Sequence, residues 1–352
     1  MYLKGLGTAH PARRYTKADC WAAFQGSEWF NKLDRRSRTI AELVLGSENG
    51  IEARRLALES LDEVFRIDPD TLHARFVEHA PRLAAQAAER ALANAGTDLG
   101  DIDGVVVSTC TGYLCPGLTG YVVEELGLRT DVNAFDLVGH GCAAALPNWQ
   151  LADALLESRR CRNVLSVCVE VSSAAMYLDN DPGVLISACL FGDGAGAAVL
   201  GAEPGDGSRR VACKAIGSLL NPAEREALRF EQRQGMLRNV LTRPVPKLAA
   251  QHAEQLLDRM LDDEGLERSQ IGTWIWHAGG RDVLAALRNR LGLSENDVRY
   301  SSAMLREFGN LSSAFVYFVL EAALADEARA GWWWMSSFGA GFSCHGALLE
   351  VA

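Results

Sequence analysis

No apolar run in the 352-residue sequence reaches the roughly 20 residues that a membrane-spanning helix requires. Residues 1–7 also lack the basic segment followed by an apolar segment that is typical of a secretory signal peptide. Together these absences predict a cytoplasmic protein without a membrane span.

Positive charge is scarce as well. Lysine and arginine total 35 against 45 aspartate and glutamate residues, which gives a net charge of −10. This balance argues against non-specific nucleic-acid binding, because such binding depends on basic surfaces. It does not exclude an anionic cofactor, because a local cluster such as residues 35–38 can still hold one, although a solvated helix face explains that cluster more simply.

Cysteines occur, but not in the patterns that build disulfide frameworks or zinc sites. The nine cysteines are an odd number, they are scattered through apolar segments, and no C-x-x-C pair is present. The histidines also lack the spacing of zinc ligands. The sequence therefore predicts reduced thiols in a reducing compartment and no bound metal.

The chain repeats one layout of elements. Residues 86–109 predict a helix, a turn at Gly96 and a buried strand, and residues 254–277 predict the same order with the turn at Gly265. In each copy the strand begins six residues after the glycine. A chance repeat that keeps this spacing is improbable.

The repeat continues downstream. Gly141 and Gly309 each open a predicted helix, and the second of these helices is expected to end near Arg329. Val164 and Trp332, each in the strand that follows, both lie 23 residues beyond the glycine. The two copies therefore remain aligned over the helix as well as over the strands.

Alternating strands and helices predict an α/β fold with largely buried sheets. Two copies of one unit imply a pseudo-twofold axis between two duplicated halves. We expect these halves to be residues 1–204 and 205–352, and the turn-rich stretch 203–207 to join them.

Three polar residues fall at matching places in the two halves. Cys142 and Asn310 each follow the glycine at a predicted helix start, and His277 ends a strand at the position that corresponds to Ser108. A pseudo-twofold axis brings duplicated positions toward a common centre. A thiol, an imidazole and a carboxamide are therefore expected to meet there.

These groups are the ones that a thiol enzyme needs. A helix N-terminus or a nearby imidazolium lowers the pKa of a thiol from its usual value of about 8.5, which makes Cys142 the candidate nucleophile. His277 is the candidate base for its proton, and Asn310 is the candidate amide donor to an oxyanion or enolate. Taken singly, each is explained more simply as a packed core residue. The residues by themselves thus indicate thiol-dependent acyl chemistry and nothing narrower.

Four motifs resemble those of the type III polyketide synthases, the chalcone synthase-like enzymes. They are Val-Gly-His-Gly-Cys-Ala-Ala-Ala at residues 138–145, Phe-Gly-Asp-Gly-Ala at 191–195, Trp-His-Ala-Gly-Gly-Arg-Asp-Val-Leu at 276–284 and Phe-Gly-Asn-Leu-Ser-Ser-Ala at 308–314. The resemblance runs from about residue 85 to the C-terminus. The second pair of motifs favours this family over the bacterial ketoacyl synthase III enzymes.

The resemblance implies a homodimer of thiolase-like αβαβα subunits. An acyl-CoA starter would load onto Cys142, and malonyl-CoA would be decarboxylated between His277 and Asn310 to give an enolate that attacks the loaded thioester. It implies CoA thioesters as substrates and neither a metal nor a redox cofactor. An acyl carrier protein in place of CoA stays open as a partner.

The resemblance also assigns residues to the substrate cavity. Phe191 matches a gatekeeper phenylalanine, and Cys115 matches a loop that reaches across the dimer interface. The other positions that match cavity residues of the family are Cys110, Ser172, Ala175, Phe338 and Gly339. Arg54 and Arg55 match a segment of the family that contacts the CoA phosphates.

The sequence departs from the family at the cavity. The second gatekeeper phenylalanine is expected near Leu237 or Arg238, and neither residue is aromatic. Smaller side chains at Cys110, Ser172 and Ala175 suggest a roomier cavity. The starter, the number of extensions and the cyclisation therefore stay open.

Three other functions compete with this one. A ketosynthase III-like enzyme or acyltransferase would use the same residues for one condensation, and a thioester hydrolase would use the cysteine and histidine alone. A silent binding protein would have kept only the fold, but the presence of all three polar residues disfavours it.

Overall fold

Strands from both predicted halves join one nine-stranded sheet in the computed structural model of the protein, which describes residues 1–205 and 209–352. The strands are β1 Tyr2–Ala9, β2 Arg14–Thr16, β3 Ala53–Arg55, β4 Gly104–Ser108, β5 Asn133–Leu137, β6 Asn163–Glu170, β7 Gly194–Gly201, β8 Val211–Leu220, β9 Leu228–Arg233, β10 Met236–Leu241, β11 Ile271–Trp276, β12 Gly331–Gly339 and β13 Ser343–Val351. The α-helices are α1 Lys17–Gly26, α2 Glu28–Lys32, α3 Arg35–Gly46, α4 Pro69–Ala95, α5 Leu118–Leu126, α6 Ala145–Glu157, α7 Pro182–Leu190, α8 Val245–Glu264, α9 Arg281–Leu291, α10 Arg299–Phe308 and α11 Phe315–Ala325.

The order of strands in this sheet reveals the duplication. It reads β5-β4-β6-β7-β1 through the first half and β8-β13-β12-β11 through the second, so the same arrangement is mirrored about the β1–β8 contact. The parallel pairs β4–β6 and β11–β12 occupy equivalent places, and β5 adds a further parallel pair with β4 at the edge of the first half. The predicted fold class is confirmed. The exact boundary at residues 204–205 stays a prediction, and residues 206 and 207 of the expected join lie outside the described residues.

The helices and the two halves of the nine-stranded sheet together form five layers, and each half of the sheet is called a half-sheet. Helix α4 packs on β1, β6 and β7, and α8 packs on β8 and β13. Helices α6 and α11 lie between the half-sheets, because α6 contacts β4 and β6 on one side and β12 and β13 on the other. Helix α11 likewise contacts strands of both halves. The order helix, sheet, helix, sheet, helix is the predicted αβαβα arrangement.

Glycine ends the two outer helices as predicted. Gly96 and Gly265 stop α4 and α8 in the left-handed conformation, with φ of 58° and 65°. A residue without a Cβ atom adopts this conformation at little cost.

The helix predicted to begin at Gly309 differs from its expected bounds. A 3₁₀ turn at Ser312–Ala314 precedes α11, which begins at Phe315 and ends at Ala325 rather than near Arg329. The reason is local. Gly309 and Ser312 have positive φ, of 69° and 51°, before the helix, and Glu327 has a φ of 49° after it, and a right-handed α-helix cannot pass through such residues.

Buried aromatic side chains tie the middle layer together. Trp149 on α6 donates from Nε1 to the hydroxyl of Tyr317 on α11 at 3.0 Å, and that hydroxyl lies 2.8 Å from Ser166 Oγ on β6. Trp333 and Trp334 are also fully buried. Within residues 1–205 and 209–352, none of the helices has the length and apolarity to cross a membrane.

The close approach of α4 to β1 gives a test of this packing. A Cβ atom at Gly7 would overlap the main-chain oxygen of Ala87, whereas one at Gly120 in α5 would meet nothing within 4 Å. We expect Gly7→Ala to lower the free energy of unfolding by about 1–3 kcal/mol, because main-chain atoms must move. We expect Gly120→Ala to raise it by up to about 1 kcal/mol through helix propensity. Equal effects in urea denaturation would contradict the close packing.

Candidate active site

Cys142 lies in the 3₁₀ turn Gly141–Ala143 that leads into α6. Its side chain is buried, and Ser312 Oγ donates a hydrogen bond to its Sγ atom at 3.2 Å. Burial raises the pKa of the Cys142 thiol to about 12, while the hydrogen bond from Ser312 lowers it. The thiol is therefore protonated at neutral pH before substrate binds.

His277 follows the last residue of β11. Its main-chain N–H donates to the carbonyl oxygen of Ser336 on β12 at 2.9 Å, which holds the residue at the end of the parallel strand pair. The ring packs edge-on against Phe315, with centroids 5.7 Å apart. Burial lowers the pKa of His277 to about 4. The imidazole is therefore neutral and is able to accept a proton.

Asn310 is held by main-chain bonds to the turn before β7. Its N–H donates to Leu190 O at 2.9 Å, and its carbonyl accepts from Gly192 N at 3.0 Å. In the side chain, Oδ1 accepts the N–H of Ser312 at 2.8 Å, and Nδ2 donates to Gly279 O at 3.2 Å. Because one partner is a donor and the other is an acceptor, they identify which atom of the carboxamide is the oxygen and which is the nitrogen.

One chain of hydrogen bonds connects the three predicted catalytic residues. His277 Nε2 lies 3.2 Å from Asn310 Oδ1, and because that oxygen only accepts, Nε2 carries the proton in this arrangement. Ser312 then links Asn310 to Cys142. Its main-chain N–H donates to Asn310 Oδ1, and its hydroxyl donates to Cys142 Sγ. The structure thus brings Cys142, His277 and Asn310 together through a residue for which the sequence predicted no role. Their catalytic roles stay predictions.

Glu170, at the end of β6, was missed entirely. This buried carboxylate accepts hydrogen bonds from Thr111 Oγ1 at 2.9 Å, from Cys110 N at 3.1 Å and from the hydroxyl of Ser313. Burial raises the pKa of Glu170, and these donors oppose the rise. The residue connects the loop after β4 to the start of α11. The sequence feature that could have identified Glu170 is a single acidic residue at the end of an apolar strand.

A small cavity opens beside this cluster. Its volume is about 40 Å³. The lining residues include four of the predicted cavity residues, Phe191, Cys110, Ser172 and Ala175. The remaining lining residues are Leu56, Thr111, Ser173, Met176, Tyr177, Val184, Ser187, Ala188, Phe230, Asn239 and Ser312.

The other predicted cavity residues lie elsewhere. The ring of Phe338 packs against that of His277, with centroids 6.4 Å apart, and Gly339 packs against the main chain of His140 and Ala143. Gly339 therefore supports the turn that carries Cys142, Phe338 supports His277, and neither lines the cavity. Cys115 is exposed. Its predicted place at the dimer interface stays a prediction.

The predicted phosphate contacts of Arg54 and Arg55 need correction. Arg54 is buried, and its guanidinium donates to the carbonyl oxygens of Ala188 and Phe191 at the end of α7. Arg55 forms an ion pair with Glu307 at 2.7 Å. These contacts place Arg54 out of reach of a phosphate and engage Arg55 with Glu307, although Arg55 Nε has no partner among the described residues. The two arginines therefore stabilise the fold around the cavity.

The hairpin β9–β10 supplies cavity residues that the sequence did not identify. Phe230 and Asn239 line the cavity, whereas the second gatekeeper was expected near Leu237 or Arg238. Arg238 instead forms ion pairs with Asp179 and Asp181, at 3.0 and 3.2 Å. Side chains alternate along a strand, so this ion cluster and the cavity lie on opposite faces of β10.

Within the described residues, no group of three or more histidine, cysteine, aspartate or glutamate side chains is placed to hold a metal ion. All nine cysteines are free thiols.

Known families match most of the chain. The family described as "FAE1/Type III polyketide synthase-like protein" matches residues 47–214, and the one described as "Chalcone and stilbene synthases, C-terminal domain" matches residues 218–351. The 3,5-dihydroxyphenylacetyl-CoA synthase of Streptomyces toyocaensis is 31% identical over 332 residues, which cover 92% of this chain and 82% of that relative. An alpha-pyrone synthesis polyketide synthase-like protein of Mycobacterium tuberculosis is 30% identical over 365 residues, which cover 99% and 91%.

Solved structures agree in fold. A polyketide synthase of the brown alga Ectocarpus siliculosus superposes with a TM-score of 0.90 at 25% identity, covering 99% of this chain and 97% of that one. The 1,3,6,8-tetrahydroxynaphthalene synthase of Streptomyces coelicolor shares the fold with a TM-score of 0.87 at 23% identity, covering 99% of each chain. The layered fold is that of the thiolase-like condensing enzymes. Within that class, the chain belongs to the type III polyketide synthases.

The bond from Ser312 to Cys142 can be tested by alkylation. Ser312→Ala removes a donor that favours the thiolate, so the pKa of Cys142 should rise and iodoacetamide should modify it about tenfold more slowly at a given pH. The rate is measured at Cys142 by peptide mass spectrometry across a pH series. Ser218→Ala, which removes a hydroxyl bonded to His345, is the control and should leave the rate unchanged. An unchanged rate in Ser312→Ala would refute the contact.

Proposed function

We propose that this polyketide synthase loads an acyl group from an acyl-CoA starter onto Cys142 and extends it by decarboxylative condensation with malonyl-CoA. The observation that carries the assignment of roles is the chain of hydrogen bonds from Cys142 through Ser312 and Asn310 to His277. It supports the assignment because a nucleophile, a neutral base and an amide donor lie together beside an enclosed cavity.

Loading begins with the buried thiol. Burial favours uncharged groups, so Cys142 and His277 are both neutral before substrate binds. Loading uses the other tautomer of His277, in which Nε2 is unprotonated. As the thiol attacks the thioester carbonyl, its proton passes to this nitrogen, and the carbon–sulfur bond to CoA breaks. The proton on His277 then neutralises the departing CoA thiolate. Cys142 retains the acyl group as a new thioester.

Extension uses the other two groups. The malonyl carboxylate leaves as CO₂, and its bonding electrons move onto the malonyl thioester, whose oxygen becomes an enolate. The N–H of His277 and the Nδ2 amide of Asn310 are the donors proposed to stabilise that oxygen. For this, Nδ2 exchanges its present partner, the carbonyl oxygen of Gly279, for the substrate. The enolate carbon then attacks the carbonyl carbon of the acyl group, and the carbon–sulfur bond to Cys142 breaks. The extended chain is left as a CoA thioester, and the released Cys142 thiolate takes up a proton from solvent.

A single-condensation enzyme is the alternative that one observation favours. A cavity of about 40 Å³ is small for a chain that has been extended several times. The two relatives named above point the other way, since their names refer to a dihydroxyphenylacetyl product and to pyrone synthesis. We therefore favour repeated extension with widening of the cavity as the chain grows.

The proposal includes CoA thioesters as substrates and neither a metal nor a redox cofactor. No step above transfers electrons to a cofactor, and the donors of His277 and Asn310 take the place of a Lewis acid at the enolate oxygen. An acyl carrier protein could deliver the same thioesters. Nine free thiols suit a reducing compartment, which supports the cytoplasm as the expected location.

We also propose that two copies pair through β5. This strand ends the nine-stranded sheet, and apolar side chains beside its free edge are exposed, with Val138 at 65% and Phe135 at 36%. Open edges with exposed apolar residues favour pairing with another strand. The exposed Cys115 and Tyr113 lie in the loop that follows the neighbouring strand β4, which would bring them to the same interface.

Two variants separate the proposed steps. Asn310→Ala should retain acylation of Cys142 but lower decarboxylation of malonyl-CoA about 100-fold or more, because only the enolate needs its amide. Cys142→Ala should abolish acylation. Intact-protein mass spectrometry measures loading, and ¹⁴C-malonyl-CoA measures CO₂ release and products.

With wild-type protein and a panel of acyl-CoA starters, pyrones or resorcinol-type products support the proposal. One-step β-ketoacyl products would favour the single-condensation alternative, and free acid alone would favour a hydrolase. An acyl adduct that persists in Cys142→Ala would exclude the assigned nucleophile, and equal loss of loading and decarboxylation in Asn310→Ala would exclude the role of the amide.

The dimer proposal has its own test. Val138→Asp together with Phe135→Asp should convert a dimer into a monomer in sedimentation velocity, because it places charge on the pairing edge. Leu43→Asp is the matched control, since Leu43 is 59% exposed on α3 and lies outside the proposed interface. A wild-type monomer, or a double variant that remains dimeric, would contradict pairing through β5.

A further inference from the structure

Three buried polar atoms in the cavity wall lack hydrogen-bond partners among the described residues. They are Ser172 Oγ, Ser187 Oγ and Asn239 Oδ1. Ser187 is only 4% exposed, so bulk water does not supply the missing hydrogen bond. Buried polar groups are normally paired, and each exception asks for an explanation.

The unpaired atoms converge on one wall of the cavity. Helix α7 crosses β10 so closely that a Cβ atom at Gly183 would overlap the carbonyl oxygen of Leu241. Ser187 lies one helical turn beyond Gly183, and Asn239 lies two residues before Leu241, on the same face of the strand. The two side chains therefore come from facing elements. Ser172 follows β6 and completes the group from the third side.

The position of Asn239 is stabilised from behind. Arg238, on the other face of β10, pairs with Asp179, Asp181 and Glu231, all at 3.0–3.2 Å. Asp181 also caps the N-terminus of α7 by accepting from Gly183 N and Val184 N. One ion cluster thereby fixes the strand that carries Asn239 against the helix that carries Ser187.

The chemistry of the wall selects its ligand. Most other lining side chains are apolar, among them Leu56, Met176, Val184, Phe191 and Phe230. An alkyl starter would leave the hydroxyls and the carboxamide unpaired. A poly-β-ketoacyl chain carries a ketone or enol oxygen on every second carbon, and these oxygens accept from serine hydroxyls or donate to an amide oxygen.

We propose that Ser187 and Asn239 are specificity-determining residues that bind the ketone and enol oxygens of the extended chain, and so favour extension beyond the first condensation. This inference rests on the proposed function. It gives a role to two cavity residues for which neither the motifs nor the names of the relatives provide one.

The experiment uses hexanoyl-CoA as starter, because its acyl chain has no oxygen beyond the thioester. Wild type, Ser187→Ala, Asn239→Leu and the double variant are compared with malonyl-CoA, and products of each extension number are quantified by liquid chromatography and mass spectrometry. We expect products with two or more extensions to fall about tenfold relative to the single-extension product in each single variant, as the loss of one hydrogen bond implies. Ser218→Ala, a matched serine-to-alanine change outside the cavity, should retain the wild-type distribution.

Thermal stability separates binding from a structural role. Removing an unpaired polar group breaks no internal bond, so the variants should keep or raise the wild-type melting temperature. A lowered melting temperature would show that Ser187 or Asn239 supports the fold instead, and an unchanged product distribution would equally overturn the inference. If wild type extends no starter, the proposed function itself fails. If wild type extends hexanoyl-CoA and the variants match it, only this inference fails.

Discussion

The two hydrogen bonds donated by Ser312 are the constraint on which the site depends. Its hydroxyl reaches Cys142 in the first half of the chain, and its main-chain N–H holds the carboxamide of Asn310 in the second. Both directions are available because Ser312 has a φ of 51°, which turns the chain before α11 begins. The strain of a non-glycine residue at positive φ is therefore located where the two halves exchange contacts, as often happens at functional sites.

Burial determines the protonation and charge of the catalytic residues. It raises the pKa of the Cys142 thiol and lowers the pKa of His277, so the resting pair carries no charge. The thioester group of an acyl starter is also uncharged and enters such a site at little cost, and the charge of the malonyl carboxylate is lost as CO₂. Charge then develops only during reaction, next to donors that are already in place, and this favours catalysis in a medium of low dielectric constant. Glu170 performs a related task, since its donors anchor the loop after β4 to the start of α11.

In the cavity wall, some polar atoms instead have no hydrogen-bond partner among the described residues. Arg238 and its three carboxylates are fully paired outside the cavity, whereas Ser187 and Asn239 are left unpaired inside it. Folding alone gains nothing from such atoms. The same β-strand thus supplies stability on one face and a surface for a polar ligand on the other, which is consistent with the division between stability and function seen in binding sites.

The sequence by itself determined the duplicated α/β architecture and the grouping of Cys142, His277 and Asn310. These depend on glycine positions and on hydrophobic periodicity, which are local properties repeated at fixed spacing. Only the tertiary structure decided that Ser312 connects the three residues, that Arg54 is buried in main-chain contacts, and that Asn239 rather than Leu237 or Arg238 faces the cavity. The physical reason is that a side chain's partners come from segments distant in sequence. A shift of one residue along β10 moves a side chain from the ion cluster to the cavity, and no local pattern records that choice.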